Sequence, residues 1–154
     1  MSVKDTARRQ YARIVDRAAE QFRNFHRPKD GWITLLRQAL GMSGANVAAR
    51  MDVSRNAVYQ AERNEREGAI TIAQMRKIAD AMDAEFVYAV IPKGSVEDVI
   101  RTQAHRKAEA RVRRASSHMA LESQSLPSEQ TKQRIDDLAE QLLREMPPDF
   151  WEIK

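Results

Sequence analysis

Hydrophobic residues recur every three or four positions along the first 25 residues of the chain. This spacing places them on one face of a helix and is close to a heptad repeat; they are Val3, Ala7, Tyr11, Ile14, Ala18, Phe22 and Phe25. Pro28 is expected to end the helix. The pattern leaves two roles for this hydrophobic face open. It packs on its own domain, or it pairs with a second copy of the chain through Tyr11, Ile14 and Phe22.

Four short helices are predicted between residues 32 and 82. Ser43, Ser54 and Thr71 each precede a helical stretch and are typical N-cap residues. The second and third of these helices are separated by a turn around Asp52, a residue type that tolerates left-handed backbone. Two short helices so closely joined are typical of a helix-turn-helix arrangement.

A different pattern follows in the stretch "EFVYAVIP", residues 85–92. It is β-branched and aromatic and is ended by Pro92, which predicts one short β-strand over residues 86–91. A single strand cannot form a sheet alone, so it either pairs within a dimer or lies against the helices. The residues predicted for a dimer contact are Phe86, Val87, Tyr88 and Val90.

The last third of the chain predicts two more helices. One spans about residues 96–120, a hinge follows at residues 116–128, and the last helix begins at Ser128. The prolines of "PPDFWEIK" predict an extended tail, in which Phe150 and Trp151 are large apolar groups available to a partner. The predicted segments are an N-terminal amphipathic helix (1–29), a helix-turn-helix domain (30–92) and a C-terminal helical extension (93–154).

Charge is unevenly distributed around a net charge of +4. Residues 101–114 are strongly basic, whereas residues 128–154 carry more acidic than basic groups. The reversal indicates either two different partners or an acidic end that folds back onto the basic body. The basic stretch itself is either a solvated connecting helix or a second element that contacts phosphates.

The third of the four short helices has an unusual polar face. In "MDVSRNAVYQAERNE" the inward positions are Val58 and Ala61. A solvated helix face usually mixes Glu and Lys, but no carboxylate occurs between Ser54 and Ala61. Arg, Asn and Gln side chains can form bidentate hydrogen bonds with base edges. This composition favours DNA contact over a solvated face, through Arg55, Asn56, Tyr59, Gln60 and Arg63.

These residues carry a resemblance to a known class. "WITLLRQALGMSGANVAARMDVSRNAVYQAERNE…ITIAQMRKIADAM" resembles the Xre/Cro/phage-repressor class of helix-turn-helix domains over about residues 32–91. The resemblance implies a lambda-repressor-like fold whose third helix lies in the major groove. Gly44 departs from the class, in which Gln is common at that position, and Asn46 is the predicted substitute. The implied DNA-binding residues are Ser43, Asn46, Ser54, Arg55, Asn56, Tyr59, Gln60, Arg63 and Asn64.

A narrower resemblance rests on the N-terminal helix and on "GAITIAQMRKIADAMDAEFVYAVIPKG". Together they resemble the mobile mystery protein A family, predicted regulators encoded on mobile elements beside a Fic-domain protein. The resemblance implies a toxin–antitoxin-like system in which a Fic-domain protein is the partner.

The chain lacks the residues that several classes of function require. The chain has no cysteine, and His26, His105 and His118 lie too far apart for a metal-ligand pair. No phosphate-binding or nucleophile motif occurs, so we expect no enzymatic activity, no catalytic residues, no cofactor and no metal. No apolar run approaches the roughly 18 residues of a membrane span, so a cytoplasmic protein without a membrane partner is expected.

The sequence therefore predicts an all-α fold: a lambda-repressor-like helix-turn-helix domain with one short β-strand and flanking N- and C-terminal helices. The predicted function is sequence-specific repression of its own operon by a homodimer on an inverted-repeat operator of double-stranded DNA. The alternative is an antitoxin that acts mainly by binding a partner protein through its C-terminal half. An RNA-binding module is a third possible class, but this sequence does not offer the exposed aromatic platforms on which such modules stack bases.

Overall fold

The computed structural model describes residues 2–121 and 128–153, and the regular secondary structure of these residues is entirely helical. The chain divides into two compact units: residues 24–89, and residues 1–23 together with 90–154. The all-α prediction is confirmed. The helices are α1 (Val3–Phe22), α2 (Trp32–Ala39), α3 (Gly44–Met51), α4 (Arg55–Glu67), α5 (Ile72–Ala81), α6 (Val96–Leu121) and α7 (Ser128–Glu145).

The turn between α3 and α4 follows the predicted chemistry. Asp52 adopts the left-handed conformation (φ 55°, ψ 47°) just after α3, where a short polar side chain costs less than a branched one. The Val53 N–H then donates to the Ala48 carbonyl oxygen at 3.0 Å. Ser54 begins α4, and its Oγ accepts the Ala57 N–H at 3.1 Å. Three residues therefore reverse the chain between the two helices.

The core of residues 24–89 is an apolar cluster contributed by all four helices α2–α5. Val47, Val58 and Ile78 are almost completely buried, and Ala48 provides the small side chain at the α3–α4 crossing. The buried members are Ile33, Val47, Ala48, Val58, Met75, Ile78 and Met82. Of the two inward positions predicted on α4, Val58 is fully buried and Ala61 is half-buried.

A carboxylate from α4 caps the beginning of α2. The residue before α2 is Gly31, which has no side chain to accept the free N–H groups of the first turn. Glu65 accepts them instead, from Trp32 N at 2.7 Å and from Ile33 N at 2.9 Å. Gly31 (φ 85°) also permits this approach, because a Cβ there would lie 2.9 Å from Glu65 Oε1. Arg27 donates to the carbonyl oxygen of Glu65 from the chain that precedes α2.

The predicted β-strand at residues 86–91 is wrong for the single chain. Residues 84–92 have no regular secondary structure. The half-buried Phe86 packs on the core, and its ring stacks on that of Tyr88 at 5.7 Å between centroids. A strand requires a second strand to exchange backbone hydrogen bonds, and the described part of one chain provides none. The segment therefore has the side chains typical of a β-strand but no second strand to pair with among the described residues.

In the other unit, α6 and α7 pack through small residues, and α1 lies against α6. Ala104, Ala108 and Ala139 are buried at the contact, where their methyl groups allow close approach of the backbones. Leu142 of α7 and Phe150 complete the cluster. The helix α1 ends at Phe22, six residues before Pro28, and α6 continues through residues 116–121 of the predicted hinge. Residues 122–127 of that hinge lie outside the described residues.

The C-terminal tail is not extended, because it turns back and buries Phe150 in its own chain. Phe150 is 1% exposed, whereas Trp151 remains 56% exposed. Gln103 donates to the Phe150 carbonyl oxygen at 2.9 Å. Lys107 is buried and donates to the carbonyl oxygens of Asp149 and Glu152, the latter at 2.9 Å. Lys107 Nζ also lies 3.1 Å from the Asp149 carboxylate, and this hydrogen bond lowers the pKa of Asp149.

The basic stretch of α6 is largely paired with acidic groups of its own chain. Arg101 contacts Glu97 at 2.9 Å and Glu140 of α7 at 3.4 Å. Arg113 pairs with Glu109, and Arg111 pairs with Asp149 of the tail. In the described part of the chain, Arg106 and Arg114 are the arginines of this stretch without an ion pair. Of the two explanations for the charge reversal, this arrangement favours an acidic end that folds back onto the basic body.

We expect Glu65→Gln to destabilise residues 24–89 by about 1–3 kcal/mol, the cost of leaving a buried donor without its acceptor. The glutamine keeps the shape of the side chain, but its NH2 group replaces one of the two oxygens that face the N–H donors of α2. Urea or thermal unfolding measures the loss. The control Glu67→Gln changes an exposed carboxylate of the same helix and should stay within about 0.5 kcal/mol. Equal effects of the two variants would contradict a capping role for Glu65.

Candidate nucleic-acid interface

The polar face of α4 is exposed over its first two and a half turns. Arg55 and Asn56 occupy the first turn, and Gln60 and Arg63 follow one and two turns later. All four side chains are exposed to solvent. The helix is therefore convex and uncovered in its own unit along the side that sequence patterning assigns to DNA.

Hydrogen bonds between neighbouring side chains orient the amide of Gln60. Its Nε2 donates to Asn64 Oδ1 at 2.9 Å, and its Oε1 accepts from Arg63 Nη1 at 3.3 Å. The half-buried Asn64 also accepts the N–H groups of Ala69 and Ile70 through its backbone carbonyl. Asn64 therefore joins the end of α4 to the following loop, and Gln60 holds a defined position before any base edge is bound.

The carboxylates of α4 nearest this face point into the protein. Glu62 is 5% exposed, and its Oε1 lies 2.5 Å from Arg37 Nε of α2. The Arg37 guanidinium also donates to the Met42 carbonyl oxygen at 3.1 Å. The hydrogen bond that Arg37 donates to the Glu62 carboxylate raises the pKa of Arg37 above its usual value. Because Glu62 and Glu65 are both buried, residues 55–63 present no negative charge to a phosphate backbone.

Tyr59 lies beside this polar face and rests on the beginning of α3. A Cβ added to Gly44 would lie 2.6 to 2.8 Å from Cζ, Oη and Cε1 of Tyr59, so the absent side chain leaves the space that the ring tip occupies. The Arg37 guanidinium lies 5.8 Å from the centre of the same ring. Tyr59 is 39% exposed. Its ring is therefore held between α3 and the ion pair formed by the half-buried Arg37 and the buried Glu62.

The three remaining predicted contacts, at the starts of α3 and α4, are used as helix caps. Asn46 Oδ1 accepts from Ser43 N at 2.7 Å and from Ser43 Oγ at 2.8 Å, while Ser43 Oγ accepts the Asn46 N–H at 3.1 Å. This reciprocal capping box fixes both side chains. Ser54 caps α4 through a single hydrogen bond, since its Oγ accepts the Ala57 N–H and Ala57 has no polar side chain to bond back. The amide NH2 of Asn46 and the hydroxyl hydrogen of Ser54 remain available to another ligand.

The residues predicted for a dimer contact lie in both units and differ in exposure. Val87, Tyr88 and Val90 are exposed, whereas Phe86 is half-buried. Phe86 and Val87 also line an open apolar cavity of about 370 Å³ within residues 24–89, together with Phe25, Trp32, Leu36, Met75 and Met82. On α1, Tyr11 and Ile14 are exposed and Phe22 is half-buried.

Sequence patterning missed the charged residues that support the interface. Arg37, Glu62 and Glu65 were not predicted to be functional, although they determine how α4 is rotated. The available signal was their spacing, since Glu62 and Glu65 follow Val58 at intervals of four and three residues and so share its inward face. Among the described residues, no group of three His, Asp or Glu side chains could hold a metal ion. None of the described helices is both long and apolar enough to cross a membrane.

Comparison with known proteins identifies the central unit. Residues 33–88 match the family model described as helix-turn-helix. These residues form a DNA-binding helix-turn-helix domain. The match covers a little over one third of the chain and includes all nine predicted DNA contacts. No curated protein and no solved structure matches the chain. The domain indicates a regulator of transcription that binds double-stranded DNA.

We expect Arg55→Ala to relax base preference at one position of each half-site and to weaken specific binding by about 1–3 kcal/mol. The reason is the loss of a guanidinium that can donate two hydrogen bonds to one base. Selection of binding sites from a random DNA pool measures the preference. Lys77→Ala, which removes an exposed cation from α5, is the control and should leave the selected sequence unchanged. An unaltered preference in Arg55→Ala would refute base reading by this residue.

Proposed function

We propose that the chain is a sequence-specific transcriptional repressor that binds an inverted-repeat operator as a homodimer and acts without enzymatic activity. The observation that carries the proposal is the exposed face of α4, on which Arg55, Asn56 and Gln60 are accessible while Glu62 and Glu65 are buried. A face with amide and guanidinium groups and no carboxylate is suited to the negative potential of a DNA groove.

The dimensions of the helix support entry into the major groove. An α-helix with its side chains is about 10–12 Å across, and the major groove is about 12 Å wide. In helix-turn-helix proteins the N-terminal residues of the recognition helix contact base edges. Arg55 and Asn56 occupy that end of α4, with Gln60 one turn further along. The proposed order of contacts is therefore bases at the first turn and phosphates toward Arg63.

The proposal of a homodimer rests on the segment that follows α5. Residues 86–91 have β-type side chains but no backbone hydrogen bonds in the described part of the chain. Val90 is 90% exposed. Pairing with the same segment of a second copy, in antiparallel orientation, would satisfy these backbone groups and cover the apolar side chains. The exposed stripe of α1, with Tyr11 and Ile14, is the alternative dimer surface.

A footprint on the DNA upstream of the protein's own gene tests the proposed function. We expect two protected half-sites whose centres are about one helical turn, roughly 34 Å, apart. Substitution of Asn56 and Gln60 by alanine should remove the protection, while the control Lys77→Ala should retain it. Absence of protection at any upstream sequence would refute the repressor proposal, and a single protected half-site would refute the dimer.

Two proline variants test the paired segment through the oligomeric state of the protein. Consecutive backbone N–H groups of a strand point to opposite edges, so only one of Ala89→Pro and Val90→Pro removes a donor from the shared ladder. Both residues are exposed. We expect one variant to be monomeric by light scattering and the other to remain dimeric. If both remain dimeric, residues 86–91 are not the interface.

We also propose that the repressed operon encodes a toxin-like partner with a Fic domain. The support is the resemblance of the chain to the mobile mystery protein A family. A protein-binding antitoxin is the alternative main activity, and Trp151, which is 56% exposed in the C-terminal tail, is the aromatic residue proposed to serve it. Co-purification of the adjacent Fic-domain protein tests the partnership. We expect Trp151→Ala to reduce capture and leave the footprint intact; failure of the wild-type chain to retain the Fic-domain protein would refute it.

A further inference from the structure

A tyrosine spans the gap between the recognition helix and the beginning of the preceding helix. Tyr59 lies one turn after Arg55 on α4, and its side chain extends to the first residue of α3, Gly44. The ring tip, including the phenol oxygen, lies too close to Gly44 to leave room for a side chain there, since a Cβ would lie 2.6 Å from Cζ and 2.7 Å from Oη. A polar group from α4 thus takes the place of a side chain of α3.

The location of this oxygen determines which part of DNA it can meet. When the recognition helix of a helix-turn-helix domain enters the major groove, the helix before it crosses the sugar–phosphate backbone. A hydroxyl on α4 that reaches the start of α3 therefore lies at the wall of the groove. The N-terminal end of α3 also carries a positive partial charge. Both conditions favour a phosphate oxygen over a base edge as the acceptor for the Tyr59 hydroxyl.

The ring cannot move freely from this position. On one side, the backbone of Gly44 lies against the ring tip. On another, the Arg37 guanidinium lies 5.8 Å from the ring centre and is itself fixed by Glu62 and the Met42 carbonyl oxygen. A side chain held in place before binding loses less entropy when it forms a hydrogen bond. Arg37 therefore helps to hold the ring of Tyr59 in this position.

We propose that Tyr59 donates a hydrogen bond from its hydroxyl to an operator phosphate, and that Gly44 is required because only a residue without a side chain leaves room for this hydroxyl at the start of α3. The inference rests on the proposed function and makes it more specific. It assigns Tyr59 to backbone positioning and leaves base reading to Arg55, Asn56 and Gln60.

The test uses the operator defined by the footprint and compares the full-length chain with Tyr59→Phe. The phenylalanine keeps the ring on Gly44 and removes only the hydroxyl. We expect about tenfold weaker operator binding, typical of losing a hydrogen bond to a charged group, with an unchanged melting temperature and an unchanged selected sequence. In the wild type, ethylation of the contacted phosphate should weaken binding; in Tyr59→Phe, ethylation of that phosphate should cause little further loss.

Gly44→Ala provides an independent route to the same loss. Its methyl group would displace the ring tip, so binding should weaken about as much as in Tyr59→Phe. In a Tyr59→Ala background the space is empty, and adding Gly44→Ala should have no further effect on affinity. If Gly44→Ala lowers the melting temperature, Tyr59→Phe alone decides the question.

The outcomes separate this inference from the proposed function. If the wild type gives no footprint, both are refuted. If the footprint is present and Tyr59→Phe binds with wild-type affinity, the phosphate contact is refuted and the repressor proposal stands. A changed base preference in Tyr59→Phe would also overturn the inference, because it would assign the hydroxyl to a base.

Discussion

The rotation of α4 about its own axis is the constraint on which the rest of the DNA-binding unit depends. Two buried carboxylates set it, because each must meet a donor on α2. Glu65 accepts the first N–H groups of α2, and Glu62 pairs with Arg37 in its last turn. A buried carboxylate without partners is costly, so α4 has little freedom to turn. With those groups inward, Arg55, Asn56 and Gln60 are necessarily outward.

This arrangement links stability and recognition through the same helix. One face of α4 contributes Val58 to the core and two carboxylates to α2, and the opposite face carries the exposed side chains that we propose contact DNA. Tyr59 lies beside the exposed face and is close both to Arg37 of α2 and to Gly44 at the start of α3. A change in the buried pair would therefore be transmitted to the recognition surface without altering any residue on it.

In the other unit, too, a buried charged side chain is satisfied by groups distant in sequence, but the buried charge is positive. There the buried charged group is a cation, Lys107, and the C-terminal tail supplies its oxygens. The tail thereby closes over the α6–α7 contact with Phe150 in the cluster. Half of the basic residues of the stretch 101–114, namely Arg101, Lys107 and Arg111, contact acidic residues that follow α6 in the same chain.

Local sequence signals determined the helices, their N-caps, the turn at Asp52 and the outward residues of α4. These depend on contacts within one or two turns, and residue type and spacing specify them. The tertiary structure alone decided the long-range partners: Glu65 with the start of α2, Tyr59 with Gly44, and Lys107 with the tail. Residues 86–91 show the same limit, because their β-type pattern specifies a conformation but cannot supply a pairing partner. A charged or aromatic residue has the same sequence signature whether it faces solvent or a distant backbone group, and only the packing of helices brings such groups together.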